Sequence, residues 1–407
     1  MSVHEAHQRL APAHAEGVSD FSDDLFAYLP RADQRRWAEA YLRGLLTTSG
    51  KKSVRRMAAA ISSSPTASHS LQQFLNASPW DWTPARRELT RLAEKQLSVQ
   101  AWSIGVAVLP KRGEHSVGVH RSFIPSVGRT LNCQQGVGIF LSTDEESVAV
   151  DWSLALPGPW TNDPKRRHRA RIPDSVRHQS PGADALELVD ALASHATHAP
   201  APIVADMSNA PDAATLLRGL SQRGHDFVIA VPENLQVVDE DPSTAPHARH
   251  LHPGGHSSIN AQQLLRRSSQ RKLHAATERK GGRLMRRVRV ASTIGRLAGS
   301  DHAYDGGEQV LLRLFTECRT AGRARVWATN LVHGRIDDLL GLVRLHGGTA
   351  NSIGAMRDHY GLLDFEGRSF PGWHHHMTLV SAAHAYQRLA REPNRSCREL
   401  VHRRTAA

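Results

Sequence analysis

The chain has 407 residues, 40% hydrophobic and 22% charged, which supplies core for two or three domains and argues against wholesale disorder. Lys and Arg number 51 against 39 Asp and Glu, a net charge of +12 with His neutral. That surplus points to an anionic partner, usually nucleic acid, although an Arg-rich surface from a GC-rich genome gives the same count. Cys133, Cys318 and Cys397 stand far apart, which excludes a disulfide framework and a Cys-rich zinc site and fits a reducing cytoplasm. No apolar run reaches membrane-spanning length, and MSVHEAHQRL lacks the apolar stretch of a signal peptide, so the expectation is a cytoplasmic protein with no membrane partner.

Residues 1–18 show no periodicity and read as a loose tail. A helical region follows over 19–99. Trp37, Tyr41 and Leu45 recur at helical spacing, and Gly50 marks a stop. KKSVRRMAAAI then places Val54, Met57, Ala58 and Ile61 on one face, with Lys51, Lys52, Arg55 and Arg56 near its start and expected to be exposed. SLQQFL and PARRELTRLAEKQL predict two further helices, the second opened by Thr83 as N-cap and Pro84 as first residue. Trp80 and Trp82 lie between them and are expected to plug a core.

From about residue 100 the period changes to that of strands. WSIGVAVLP, QGVGIFLS and SVAVDWSLAL are β-type runs, followed by a helix (GADALELVDALASHA), a strand (PIVAD), a helix (DAATLLRGLSQRG) and a strand (DFVIAVP). This β-β-β-α-β-α-β order over 100–232 is that of a ribonuclease-H-like core, in which the first strand and the end of the fourth are neighbours. Residues 233–325, with RRSSQRK and RLMRRVRV, read as a strongly basic, partly β insertion, and 326–407 return to the core. The fold class is α/β (α+β): an N-terminal all-helical domain with a basic face, then the core with its insertion.

Seven segments carry a family resemblance. RADQRRWAEAYLRGLLTTSGKKSVRRMA, LQQFLNASPWDW, LPKRGEHSVGV, NCQQGVGIFLS, WSLALPGPWTNDPKRRHRARIP, VADMSNA and GLLDFEGRSFPGWHHHMTLV resemble, in order, the motifs of bacterial insertion-sequence DDE transposases. Such enzymes bind element ends and hydrolyse and transfer DNA strands. The resemblance implies three carboxylates holding two divalent ions roughly 4 Å apart, which activate the attacking oxygen and stabilise the leaving one.

Two of those carboxylates have no counterpart here. The family's first strand ends Asp-Asp-Thr-Gly-Phe-Pro-Lys-Lys-Gly, and one Asp is the first ligand; here Gly105 and Val106 occupy both Asp positions, and no acidic residue lies between Glu94 and Glu114. Asp206 matches the second ligand at a strand end, although Asn209-Ala210 stands where the family has Tyr-Gly. The third ligand belongs to Arg-Trp-x-Ile-Glu. Counting back from Gly361-Leu362, its Glu falls on Ala350, within HGGTANSI, which puts two glycines where a helix should run. Glu366 is the alternative third ligand under a shifted register.

The resemblance therefore implies a DNA-binding, transposase-like protein that has lost strand cleavage and has been domesticated, with a regulatory role open. Its partner would be double-stranded DNA in the bacterial nucleoid, with homo-oligomerisation left open. The expected DNA contacts are Lys51, Lys52, Arg55 and Arg56, with Arg286, Arg287 and Arg289 of RLMRRVRV behind them. No cofactor is expected. The rival is an active transposase using Mg²⁺ on relocated ligands drawn from Asp206, Glu366, Glu114 or Asp163; a third reading is a protein-interaction scaffold or relic. His374, His375 and His376 suggest a metal tract, but beside Trp373 and without a nearby Cys they read better as packing and hydrogen-bonding residues. No Gly-rich nucleotide cradle occurs.

Overall fold

The computed structural model describes residues 12–125, 127–239, 258–269, 273–280, 283–299, 310–318 and 324–390. Five helices open the chain: α1 (Pro12–Phe26), α2 (Ala32–Thr47), α3 (Val54–Ile61), α4 (Ala67–Asn76) and α5 (Thr83–Gln96). Helix α1 starts at Pro12, inside the stretch expected to be a loose tail. Val18, Leu25 and Phe26 recur on one face and are buried, which gives the segment a reason to fold. Ser53 caps α3 by accepting from the Arg56 amide. Thr83 lies within α5 rather than capping it, and Asp81 Oδ1 takes the Thr83 amide at 2.8 Å instead.

The second region runs β1 (Ala101–Pro110), β2 (His120–Ile124), β3 (Arg129–Ser142), β4 (Ser147–Leu154), α6 (Gly158–Asn162), α7 (Pro164–Ala170), α8 (Pro181–Ala193), β5 (Ile203–Asp206), α9 (Ala213–Gln222) and β6 (Phe227–Val231). Strands β4, β3, β1, β5 and β6 lie side by side in that order. β1 is antiparallel to β3 and parallel to β5, and β5 is parallel to β6. The chain crosses through helices wherever neighbours are parallel, as that geometry requires. This is the expected ribonuclease-H-like arrangement; β2, a short strand on the outer end of β3, was not foreseen.

The stretch expected to be an insertion contains β7 (Gln236–Asp239), β8 (Ser258–Asn260), α10 (Ala261–Ser269), β9 (Leu273–Lys280), β10 (Arg283–Leu297) and β11 (Leu311–Glu317), after which come β12 (Val326–Thr329), α11 (Ile336–His359) and α12 (Phe370–Leu389). It extends the core sheet rather than forming a layer of its own. β12 pairs with β6, and β11, β10, β7 and β8 continue outward, giving twelve strands among the described residues. RRSSQRK falls partly outside the described residues.

Helix α11 runs unbroken through Gly347 and Gly348, against the expectation that two glycines would interrupt it. Each costs roughly 1 kcal/mol relative to Ala. The flanking Leu339, Leu345 and Met356 are buried against the protein and carry the helix across. Helix α12 is buried almost all round and sits between the helical region and the sheet, so one apolar cluster continues from Leu25 to Leu389. At that junction Arg86 of α5 is buried. Its Nε donates to Thr378 Oγ1 (2.8 Å), and Nη1 donates to Asp151 Oδ1 (2.5 Å) and the Trp152 carbonyl (2.8 Å).

Candidate functional site

Strands β1 and β5 stand in parallel register, with Ser103 beside Val204 and Ile104 beside Ala205. The next residues, Gly105 and Asp206, are therefore adjacent at the end of β5. Side chains alternate across a sheet, so Gly105 shares the face of Ala101 and Ser103, and Asp206 that of Val204. Ala101 and Val204 pack in the cluster containing Ile336 and Leu339, so this face lies under α11. Val106 points the other way and is exposed.

The space beside Gly105 is full. A Cβ built there would lie 2.7 Å from Thr349 Cγ2, 2.9 Å from Ile353 Cδ1 and 3.5 Å from Phe140 Cε2. Only glycine allows α11 to approach this closely. Thr349 is held in place from behind, its hydroxyl 3.2 Å from that of Ser147, while Ser352 donates to the Ser147 carbonyl at 2.6 Å.

Asp206 is engaged twice. Its Oδ1 accepts from the Ser208 amide at 3.0 Å, an Asx turn at the strand end, and its Oδ2 lies 3.0 Å from Arg325 Nη2. His346 on α11 completes this corner, tilted against Trp327 with ring centroids 6.4 Å apart. Burial lowers the His346 pKa, opposed by the nearby Asp206 carboxylate and reinforced by Arg325. Ala350 lies one turn beyond His346 on the same helical face and is exposed, but offers no donor.

The other carboxylates lie elsewhere. Glu366 accepts from Lys51 Nζ at 2.7 Å on the surface. Its neighbour Lys111 sits at the far end of β1, six residues or about 20 Å along the strand from Gly105. Glu114 is exposed, and Asp163 caps α7 by accepting from the Lys165 amide at 2.8 Å. Among the described residues, no three His, Cys, Asp or Glu side chains converge on a point where they could hold a metal ion. A two-ion centre needs several converging oxygen donors. Asp206, with an arginine on one side and a glycine on the other, does not supply them.

Residues 24–292 match the family model for DDE superfamily endonucleases. The chain belongs to that family. No curated protein matches it. Among solved structures, a cryo-EM structure of a piggyBac transposase synaptic complex with hairpin DNA is similar over 93% of this chain and 73% of that one, at 10% identity and a TM-score of 0.40. The matched residues of this DDE superfamily member include Gly105, Val106 and Asp206; Arg325 and α11 lie beyond them.

The basic residues expected on the surface of this family member divide sharply. Arg55 and Arg56 are exposed on α3. Lys52 is not exposed, which corrects the expectation drawn from its cationic neighbours. It is 6% exposed, its ammonium donates to the Thr48 carbonyl, and its amide donates to Asp364 Oδ2 at 2.6 Å. Its stem lies against Gly361, whose φ of +71° and lack of Cβ make room for it; a Cβ there would stand 2.7 Å from Lys52 Cβ. Lys51 is exposed but already paired to Glu366.

On β10, Arg286 is held by Glu278 (2.5 Å) and Glu317 (2.6 Å), hydrogen bonds that raise its pKa, while Arg287 and Arg289 are exposed. Helix α7 adds exposed Lys165, His168 and Arg169, a basic surface that sequence reasoning passed over although KRRHRAR spells it out.

His374, His375 and His376 pack, as their neighbours suggested. His374 stacks on Trp82 (4.4 Å) and His375 on Trp80 (3.9 Å), and His376 Nδ1 lies 3.1 Å from the Tyr41 hydroxyl. His375 sits between the carbonyls of Leu75 and Trp80, 2.8 Å from each, yet burial holds its pKa down at about 4. Burial likewise lowers His376 and His384 to about 3. Buried among aromatic rings and backbone, they form part of the wall between helices and sheet.

Proposed function

We propose that this member of the DDE superfamily endonucleases binds duplex DNA and does not cut it. The observation that carries the reading is the filled space over Gly105. Thr349 and Ile353 occupy the volume that a first carboxylate and its ion would need. Relocation of the ligands is disfavoured because Glu366, Glu114 and Asp163 are placed apart from Asp206 and used elsewhere or exposed. In this reading the helical region (19–99) and the insertion (233–325) supply DNA-binding surface to a core formed by 100–232 and 326–407. Arg55, Arg56, Arg287 and Arg289 are the first contacts, because they are exposed on α3 and β10. Contacts of this kind grip phosphates and leave the choice of sequence to other groups. Occupancy of a promoter or element end would make such a binder regulatory.

The test has two arms. With Mg²⁺ or Mn²⁺, the purified protein nicks plasmid DNA no faster than its Asp206→Ala variant; divalent-dependent nicking lost in that variant would restore the active-enzyme reading. Duplex binding weakens steeply with salt, and Arg55→Ala/Arg56→Ala lowers affinity and flattens the log-log slope by about two, near 0.9 per phosphate. An unchanged slope in a folded variant moves the contact to β10 or α7.

A further inference from the structure

The strand end that lacks a metal donor set contains a cation of its own. Arg325 Nη2 lies 3.0 Å from Asp206 Oδ2. The carboxylate is 17% exposed and the arginine side chain 55% exposed. Asp206 is the sole ion-pair partner of that guanidinium among the described residues. A guanidinium carries five N–H donors in a planar fork, so one carboxylate oxygen leaves most of them turned to solvent. His346, whose pKa burial lowers, lies near the pair and packs against Trp327. Gly105 and Ala350 add no charge to compete for the fork.

We propose that Arg325 does the electrostatic work a divalent ion does in a two-metal site, bridging Asp206 to a backbone phosphate of duplex DNA. The proposal rests on the DNA-binding reading above and adds a site to it. A divalent ion in such a site has two electrostatic tasks: to neutralise the protein's carboxylate and to attract the phosphate. An arginine can do both at once, since its fork offers parallel charge-assisted hydrogen bonds to two anions. It cannot lower the pKa of a bound water or stabilise a leaving oxygen as a metal does. The strand end therefore keeps its grip on DNA and loses its chemistry. Asp206 becomes a positioning residue that aims the fork, because its Oδ1 is itself held by the Ser208 amide.

The experiment uses the full chain and a labelled duplex, in EDTA and in Mg²⁺. Wild-type protein binds in EDTA, and Mg²⁺ does not strengthen that binding, since it acts only as a competing counterion. Arg325→Gln lowers affinity about tenfold and flattens the salt slope by about one, as loss of one phosphate contact requires. Arg325→Lys keeps the slope and loses part of the affinity, because charge without the fork remains. Asp206→Asn keeps most of the affinity, because the amide oxygen still accepts from the fork and the arginine keeps its charge. A surface pair of this kind contributes little to folding, and thermal melts confirm that each variant is folded.

Equal weakening by Asp206→Asn and Arg325→Gln marks the pair as structural and overturns the proposal. So does Mg²⁺-strengthened binding that Asp206→Asn abolishes. Wild-type affinity in Arg325→Gln, with weakened Arg55→Ala/Arg56→Ala, overturns the strand-end site and leaves the DNA-binding reading intact. No duplex binding by the wild type at low salt overturns both.

Discussion

The contact between Gly105 and α11 can be tested atom by atom. In Gly105→Ala, the new methyl would meet Thr349 Cγ2 at 2.7 Å and Ile353 Cδ1 at 2.9 Å. Distances that short force the helix or the strand to shift, and overpacking of this size costs roughly 1–3 kcal/mol. Alanine also removes the conformational penalty of glycine in a strand, worth roughly 0.5–1 kcal/mol, so the net loss is about 1–2 kcal/mol. Two conservative substitutions delete the opposing atoms and little else. Thr349→Ser removes Cγ2 and keeps the hydroxyl that meets Ser147; Ile353→Val removes Cδ1 at a cost of about 0.5–1.5 kcal/mol. In the Thr349→Ser/Ile353→Val background, Gly105→Ala should therefore be neutral or stabilising. Urea midpoints for the four proteins give the coupling, expected at about 1–3 kcal/mol. Additive effects, within about 0.5 kcal/mol, would refute the claim that α11 fills the site. Gly105→Asp should be worse than Gly105→Ala and should not confer metal-dependent nicking.

Two further outcomes follow from the junction between helices and sheet. Arg86→Met strands the Asp151 carboxylate and the Trp152 carbonyl, so urea denaturation should show a loss of about 3 kcal/mol, toward the lower end for breaking a buried pair because Asp151 is 23% exposed; a loss below about 1 kcal/mol would show that water replaces the guanidinium. His375, His376 and His384 have folded pKa values of about 4, 3 and 3, below the ordinary value of about 6.5. The unfolded chain binds more protons below that value, so their contribution is complete above it and is lost as pH falls toward 4, by about 1.4 kcal/mol per pH unit for each His. Comparing urea midpoints at pH 7 and 5.5 should show a clear fall, smaller in His376→Gln, whose ring faces the Tyr41 hydroxyl and the Gly361 carbonyl; midpoints that do not move would contradict the buried neutral state.

Much of the fold was legible along the chain because it is written in local periods. The alternation of WSIGVAVLP, the apolar run PIVAD and the helical faces of α2 and α8 each repeat over neighbouring residues, and the family motifs place them in order. The loss of Asp at Gly105 and Val106 was likewise visible as a change of residue type. Surface status was not. Lys52 reads like Lys51 in KKSVRR, yet Gly361, some three hundred positions later, makes the room that buries its stem. Arg286 reads like Arg287, yet Glu278 and Glu317 on the flanking strands claim it. Two glycines in HGGTANSI suggested a broken helix, but tertiary burial on either side outweighs their weak propensity. Arg325 carries no local mark of its role, because nothing near it in sequence is acidic; only strand pairing brings it to Asp206. Sequence by itself determined which chemical groups are present and the local period of each element. Which cations stay free, and what fills the space of a missing carboxylate, depend on contacts between residues far apart in the chain, and only the tertiary structure decided those.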